Sequence, residues 1–330
     1  MATDELRRTQ LYQYIWASPM FNRWHWLQWN FDQLRATGVE ATSAARIVDA
    51  LLTCNRRMPG FAFDMVDRVA AVGGDDRNRD HYEAIRQWLA ELLVVNHFVT
   101  WPWPFDVSMT HERDIAGVEP KPEMLIEGEQ IRLGIEVKCP DLRSHGAARS
   151  SSDMQLLARV APSPAAAFGD ATLPRDNPVK DALVSSERKF VKYCEDPAFR
   201  SLLVIVWDDY INEPITALLS PASGLLTENS FARDSNGDPL RFGHTDAVVV
   251  LRHQHQFVQG LKNKPPLDQR THLLDYGRVG RFPPNALIIN PSGRTLSRHI
   301  VDATQATEPD ERLGGEYVPG EIVLWFDVEG

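Results

Sequence analysis

The chain has 330 residues, 43% of them hydrophobic and 24% charged, which is the composition of a globular protein and excludes a disordered one. Its formal net charge of −10 argues against a protein that lives by non-specific attraction to phosphates, although a cleft can carry a local field of its own. There is no apolar run of the roughly 20 residues a membrane helix needs, the start MATDELRR lacks the order of a secretory signal, and Cys54, Cys139 and Cys194 give neither a disulfide framework nor metal-ligand spacing. The expectation is a cytoplasmic protein without membrane contact.

Residues 1–75 form the first region. TDELRRTQLYQYIW, NRWHWLQWNFDQLRA and ATSAARIVDALLT all place apolar residues at helical spacing, so a helical N-terminal region is expected. Trp16, Trp24, Trp26 and Trp29 are read as packing these helices rather than as a platform for stacked bases. The polar, Gly-containing VGGDDRNRD at 72–80 marks a boundary, and a core region over 76–260 follows.

That core opens on HYEAIRQWLAELLVVNHF, an amphipathic helix with Ile85, Leu89, Leu92 and Leu93 inward, stopped by WPWP at 101–104. PEMLIE and QIRLGIEVKC read as a β-hairpin around a turn near 127–130. Residues 144–177, rich in Ser, Ala and Pro, read as a loop around a short helix, DMQLLARVA. DNPVKDALVSSERKFVKYC is a further helix with Pro178 in its first turn. SLLVIVWDD and DAVVVLRH are continuous apolar runs of the buried-strand type. Residues 261–330 form a Pro-rich C-terminal extension packed on the core, with strands ALIIN and EIVLWFD. This order predicts an α/β domain with a mixed central sheet flanked by helices.

Three Glu-x-Lys triplets occur, and only one has a geometry that chemistry can use. Glu119-Pro-Lys121 lies in a Pro-containing loop, and Glu187-Arg-Lys189 lies in a helix, where residues two apart point in different directions. Glu136-Val-Lys138 is on a strand, whose period of two aims both side chains at one face while Ile135 and Val137 fill the other. Across the turn, antiparallel pairing brings Glu123 opposite residues 132–134, within diagonal reach of Glu136. Two converging carboxylates repel unless a cation joins them, and hard oxygen ligands suit Mg²⁺. The alternative is a solvated hairpin face with ordinary ion pairs.

DSNGD at 234–238 lacks the later Glu of a calcium loop and reads as a turn. His253 and His255, with no third ligand nearby, read as a polar strand edge rather than a zinc site. Gly-rich phosphate loops and serine-hydrolase elbows are absent.

Pro122-Glu123 and Glu136-Val-Lys138, preceded by the helix at 81–98 and followed by the helix at 177–194 and the strand SLLVIVWDD, resemble the PD-(D/E)xK nuclease superfamily over roughly residues 80–255. The resemblance implies a restriction-endonuclease-like fold, a four-stranded mixed sheet with the motif on its central hairpin. It further implies a Mg²⁺- or Mn²⁺-dependent nuclease acting on DNA, with RNA left open, in restriction, defence or repair. Carried over, Glu123, Glu136 and the backbone carbonyl of Val137 would hold the metal, and Lys138 would position the attacking water. Glu83 on the preceding helix would tune the site in preference to Glu91, which is read as solvated. Lys180, Arg143 and Arg149 would contact nucleic acid. Glu123 departs from the pattern's usual Asp, and Asp114 is a candidate to compensate. The N-terminal helices would serve a homodimer or a protein partner. The competing expectation is an inactive nuclease-like module that binds nucleic acid or protein.

Overall fold

The computed structural model describes residues 2–37, 42–117, 119–142, 147, 176–208, 212–221, 223–280 and 284–309. The expected helix DMQLLARVA, the expected strand EIVLWFD, and both Arg143 and Arg149 lie outside them.

Helices α1 (Ala2–Ala17), α2 (Gln28–Thr37), α3 (Thr42–Arg57) and α4 (Phe61–Ala71) form the N-terminal region. In α3, Ala44, Ile47, Val48, Leu51 and Cys54 recur at helical spacing and are all buried. Helix α5 (Arg79–Thr100) begins at Asn78, whose side-chain oxygen accepts from the backbone N–H groups of Asp80 and His81. It ends at Trp101, which takes an extended conformation as the residue before Pro102 is expected to. Ile85, Leu89, Leu92 and Leu93 are fully buried, as their spacing predicts.

Seven strands among the described residues form one mixed sheet, in the spatial order β1 (Val107–His111), β2 (Met124–Gly128), β3 (Ile131–Lys138), β4 (Phe199–Trp207), β5 (Ala247–Arg252), β6 (Asn285–Ile289) and β7 (Ala306–Thr307). Pairings β1–β2, β2–β3 and β5–β6 are antiparallel; β3–β4, β4–β5 and β6–β7 are parallel. The parallel step from β3 to β4 is made through helix α6 (Asp176–Phe190), and α7 (Asn212–Leu219), α8 (Gln254–Leu261) and α9 (Arg298–Thr304) complete the helices among these residues.

Alternation along the strands explains the layers. Leu133, Ile135 and Val137 of β3 and Leu202, Val204 and Val206 of β4 pack in one cluster with α3, α4 and α5. Leu203, Ile205 and Trp207 face the opposite side, with Val179, Ala182 and Leu183 of α6. Both faces of β4 are covered, which is why SLLVIVWDD reads as an unbroken apolar run. The first cluster runs from Leu11 to Ala303, so the N-terminal helices, the sheet and α9 share one core across both boundaries read from the sequence.

Among the aromatic residues near the start, Trp16 stacks on Tyr12 and Trp26 on Tyr82, with ring centroids 5.5 Å and 5.3 Å apart. Trp24 and Trp29 do not pack as expected: they are 59% and 48% exposed. No described helix is long and apolar enough to cross a membrane.

Candidate functional site

The β2–β3 hairpin turns tightly over Glu129 and Gln130, since Gly128 already pairs with Ile131. The register therefore pairs Leu125 with Gly134 and Met124 with Ile135. One step further, Glu123 lies beside Glu136 rather than beside residues 132–134. The turn is centred one residue later than the expected 127–130, and that shift slides Glu123 two residues along β3 to the second acid.

Both carboxylates are buried: Glu136 is 0% exposed and Glu123 5%. Lys138 Nζ lies 2.8 Å from Glu136 Oε1, and its side chain keeps partial contact with solvent. A second ammonium joins them from α6. Lys189 Nζ is 2.9 Å from Glu136 Oε2, 3.4 Å from Glu123 Oε1 and 3.7 Å from Glu112 Oε1. Glu112 sits in the turn after β1, and its backbone N–H donates to the Glu123 carbonyl at 2.9 Å, extending the β1–β2 ladder. It is Glu112, not Asp114 two residues on, that approaches the two acids. Glu123 Oε2 is buried without a hydrogen-bond partner.

The helix α5 contributes a fourth acid. Glu91, read from the sequence as solvated, is 3% exposed. Arg68 of α4 holds it at 2.7 Å, and Gln87 donates to its Oε1 at 2.9 Å. Four carboxylates, those of Glu91, Glu112, Glu123 and Glu136, thus face three cations, those of Arg68, Lys138 and Lys189.

The electrostatics follow. Burial pushes the Glu123 carboxyl well above the usual range, and the nearby charges of Glu91 and Glu136 push it further, against Lys189. Burial likewise raises Glu112, partly offset by Lys189. For Lys189 burial works against the charged form, but Glu136 and Glu123 outweigh it and hold the ammonium above its ordinary value.

Glu83 stands apart from this cluster. Its carboxylate is gripped by Arg86 at 2.8 Å and 2.9 Å, while burial, aided by Asp141, raises its pKa to about 7. The helix position that meets the hairpin acids is Glu91, two turns further along α5. The Val137 carbonyl accepts from Gln87 Nε2 at 3.1 Å, so one of its two lone pairs is already engaged. Lys180 is near the start of α6 and pairs with Asp181 at 3.4 Å. Lys189, at the other end of the same helix, is the basic residue that reaches the acids.

Lys189 was hidden in the Glu187-Arg-Lys189 triplet. The helix does separate its members: Glu187 bonds His244, with Oε2 2.9 Å from Nδ1, while Lys189 turns toward β3. The available signal was position, because Lys189 follows buried Ser186 by three residues on the inward side of α6.

The weaker motifs resolve as local structure. Asp234 Oδ1 accepts from the backbone N–H groups of Asn236 and Asp238, closing a turn over DSNGD. His253 is not at a polar edge; it is fully buried at the start of α8, with Nε2 2.7 Å from the Leu273 carbonyl oxygen. His255 pairs with Asp268 at 3.0 Å.

Among the described residues no group of three His, Cys, Asp or Glu side chains is placed to hold a metal ion. The donor chemistry of Glu123 and Glu136 nevertheless fits a divalent cation. Both are hard carboxylates, and Glu123 Oε2 is buried without a hydrogen-bond partner. No family model, curated protein or solved structure matches the chain.

Proposed function

We propose that the β2–β3 hairpin carries the metal centre of a Mg²⁺- or Mn²⁺-dependent nuclease of the PD-(D/E)xK pattern, acting on DNA. The observation that carries this reading is the buried, unpartnered Glu123 Oε2 beside Glu136, with Glu91 and Glu112 also acting on it. Burying a carboxylate with one oxygen left without a partner is costly, and structure alone gives no return for it. A divalent cation would offset that cost.

The order of elements supports the same reading. A helix (α5), three antiparallel strands (β1–β3), a helix (α6) and a parallel strand (β4) place four adjacent strands between helices, with the motif on the central hairpin. This is the arrangement that a restriction-endonuclease-like fold implies.

Glu123 and Glu136 would hold the ion. Once bound, the cation would supply Lewis-acid polarisation of a phosphoryl oxygen and a more acidic water. Lys138 steadies Glu136 Oε1 and, at 27% exposed against 14% for Lys189, is the more solvent-accessible of the two lysines that touch Glu136. It is therefore the group that would meet charge developing on the phosphate and orient the attacking water. Gln87 holds the backbone on the far side of Glu136 from α5, through the Val137 carbonyl and the Cys139 N–H. The N-terminal helices would serve partner binding or dimerisation.

A second reading, an inactive nuclease-like module, is favoured by one observation: Lys189 already bridges Glu123 and Glu136. Plasmid cleavage in Mg²⁺ or Mn²⁺, with calorimetry of Mn²⁺ binding, separates the two. Cutting that EDTA abolishes and that Lys138→Ala and Glu136→Gln remove supports the enzyme. Inactivity of the wild type, with no heat on adding Mn²⁺, supports the module.

A further inference from the structure

We propose that Lys189 is an exchangeable internal counter-ion: its ammonium occupies the divalent-cation position between Glu123 and Glu136 and must swing out toward Glu112 before a metal can enter. The inference rests on the metal-centre reading of those two carboxylates.

Three distances carry it. Lys189 Nζ makes its closest contact, 2.9 Å, with Glu136 Oε2 and lies 3.4 Å from Glu123 Oε1. A cation ligated by both acids would sit about 2.0–2.1 Å from their oxygens. That places it within the space the ammonium now takes, where two positive charges in a poorly solvated pocket repel strongly. The ammonium and the metal are alternatives.

The third distance shows where the ammonium goes. Glu112 Oε1 is 3.7 Å from Nζ, and the Glu112 side chain is 35% exposed against 6% for Glu123. Glu112 thus lies on the solvent side of the pocket. A lysine stem has four carbons and a compact head, so rotation about its terminal bonds exchanges Glu136 for Glu112 without moving α6. An arginine fork would lack this freedom.

The arrangement also explains how the acids are tolerated without metal. Lys138 and Arg68 are engaged by Glu136 Oε1 and Glu91. Of the three cations, only Lys189 contacts Glu123. The same contact lowers metal affinity, because each binding event includes the cost of displacing an ammonium.

The test measures metal binding on the full chain without nucleic acid. Calorimetry with Mn²⁺ compares the wild type with Lys189→Met and Lys189→Gln. The expected result is at least ten-fold tighter binding in both variants. In the wild type, acylation of Lys189 by an amine-reactive reagent, followed by peptide mass spectrometry, is expected to rise several-fold when Mn²⁺ is added. This second measurement decides the matter if the variants do not fold. Mn²⁺ binding by the wild type with unchanged or weaker affinity in the variants, or with Lys189 labelling unchanged, overturns the proposal and leaves the metal centre standing. No Mn²⁺ binding by wild type or variants overturns both.

Discussion

Gln87 of α5 completes the end of β3 through Val137. Its side-chain Nε2 donates to the Val137 carbonyl at 3.1 Å, and its Oε1 accepts from the Cys139 N–H at 2.8 Å. The last pairing of β2 with β3 is Met124 with Ile135, so beyond it the edge of β3 would face no partner strand. One amide side chain takes the place of that strand and, through Glu91 Oε1, ties it to the acidic cluster.

Gln87→Ala leaves a buried carbonyl and a buried N–H without partners, and each unmet group costs about 1–3 kcal/mol. The expected outcome is a loss of stability in that range or above, read as a lower urea midpoint with an unchanged slope. Under the nuclease reading, cleavage by the folded variant also falls, because the backbone beside Glu136 is no longer held.

Glu123→Gln removes the carboxyl that burial and the neighbouring acids hold above its usual range. Glu91 faces Glu123 from α5, Arg68 from α4, Glu112 from the turn after β1, Glu136 from β3 and Lys189 from α6. The folded-state pKa of Glu123 is raised above an unfolded value of about 4.3. The folded chain therefore keeps a proton that the unfolded chain has released. This group's contribution is full below about pH 4.3 and is lost as pH rises through the raised value. The variant is expected to lose that downward slope. At pH 8 without metal its Tm should lie about 2–4 °C above wild type, the shift for roughly 1 kcal/mol in a sizeable domain. Thermal melts from pH 4 to pH 8 check it; a lower Tm for the variant at pH 8 refutes the destabilising carboxyl.

Gly134 shares the face of β3 that bears Glu136. A Cβ there would lie 2.5 Å from Phe199 Cζ and 3.1 Å from Phe190 Cε1, both in buried rings. Gly134→Ala is expected to cost about 1–3 kcal/mol by overpacking. Adding Phe199→Leu should recover part of that loss, measured by chemical denaturation of the single and double variants.

Asp246, fully buried before β5, binds the Arg294 side chain at 2.9 Å and 3.0 Å and accepts from the Ser201 N–H at 2.8 Å. Asp246→Ala strands both partners and is expected to cost about 3–5 kcal/mol. Calorimetry should give an unchanged Mn²⁺ affinity for the folded fraction, since Asp246 makes no contact with Glu123 or Glu136. That separates damage to the fold from damage to the site.

Much of this was legible in the chain itself. Period-3.6 spacing gave α3 and α5, WPWP at 101–104 marked the end of α5, and period-two alternation put Glu136 and Lys138 on the face opposite Ile135 and Val137. These are local properties, fixed by backbone geometry within a few residues. The residues that complete the cluster were not legible in this way. Glu91, Glu112 and Lys189 are far apart in sequence and come from three elements, and a helix presents every residue to some direction. Which of its charged residues face inward depends on how α5 and α6 dock on the sheet. The hairpin register, too, depended on a turn centred one residue later than expected. Sequence determined that two acids and a lysine could share a strand pair; only the packed helices decided that a second lysine would stand between the acids, because long-range burial brings those charges together.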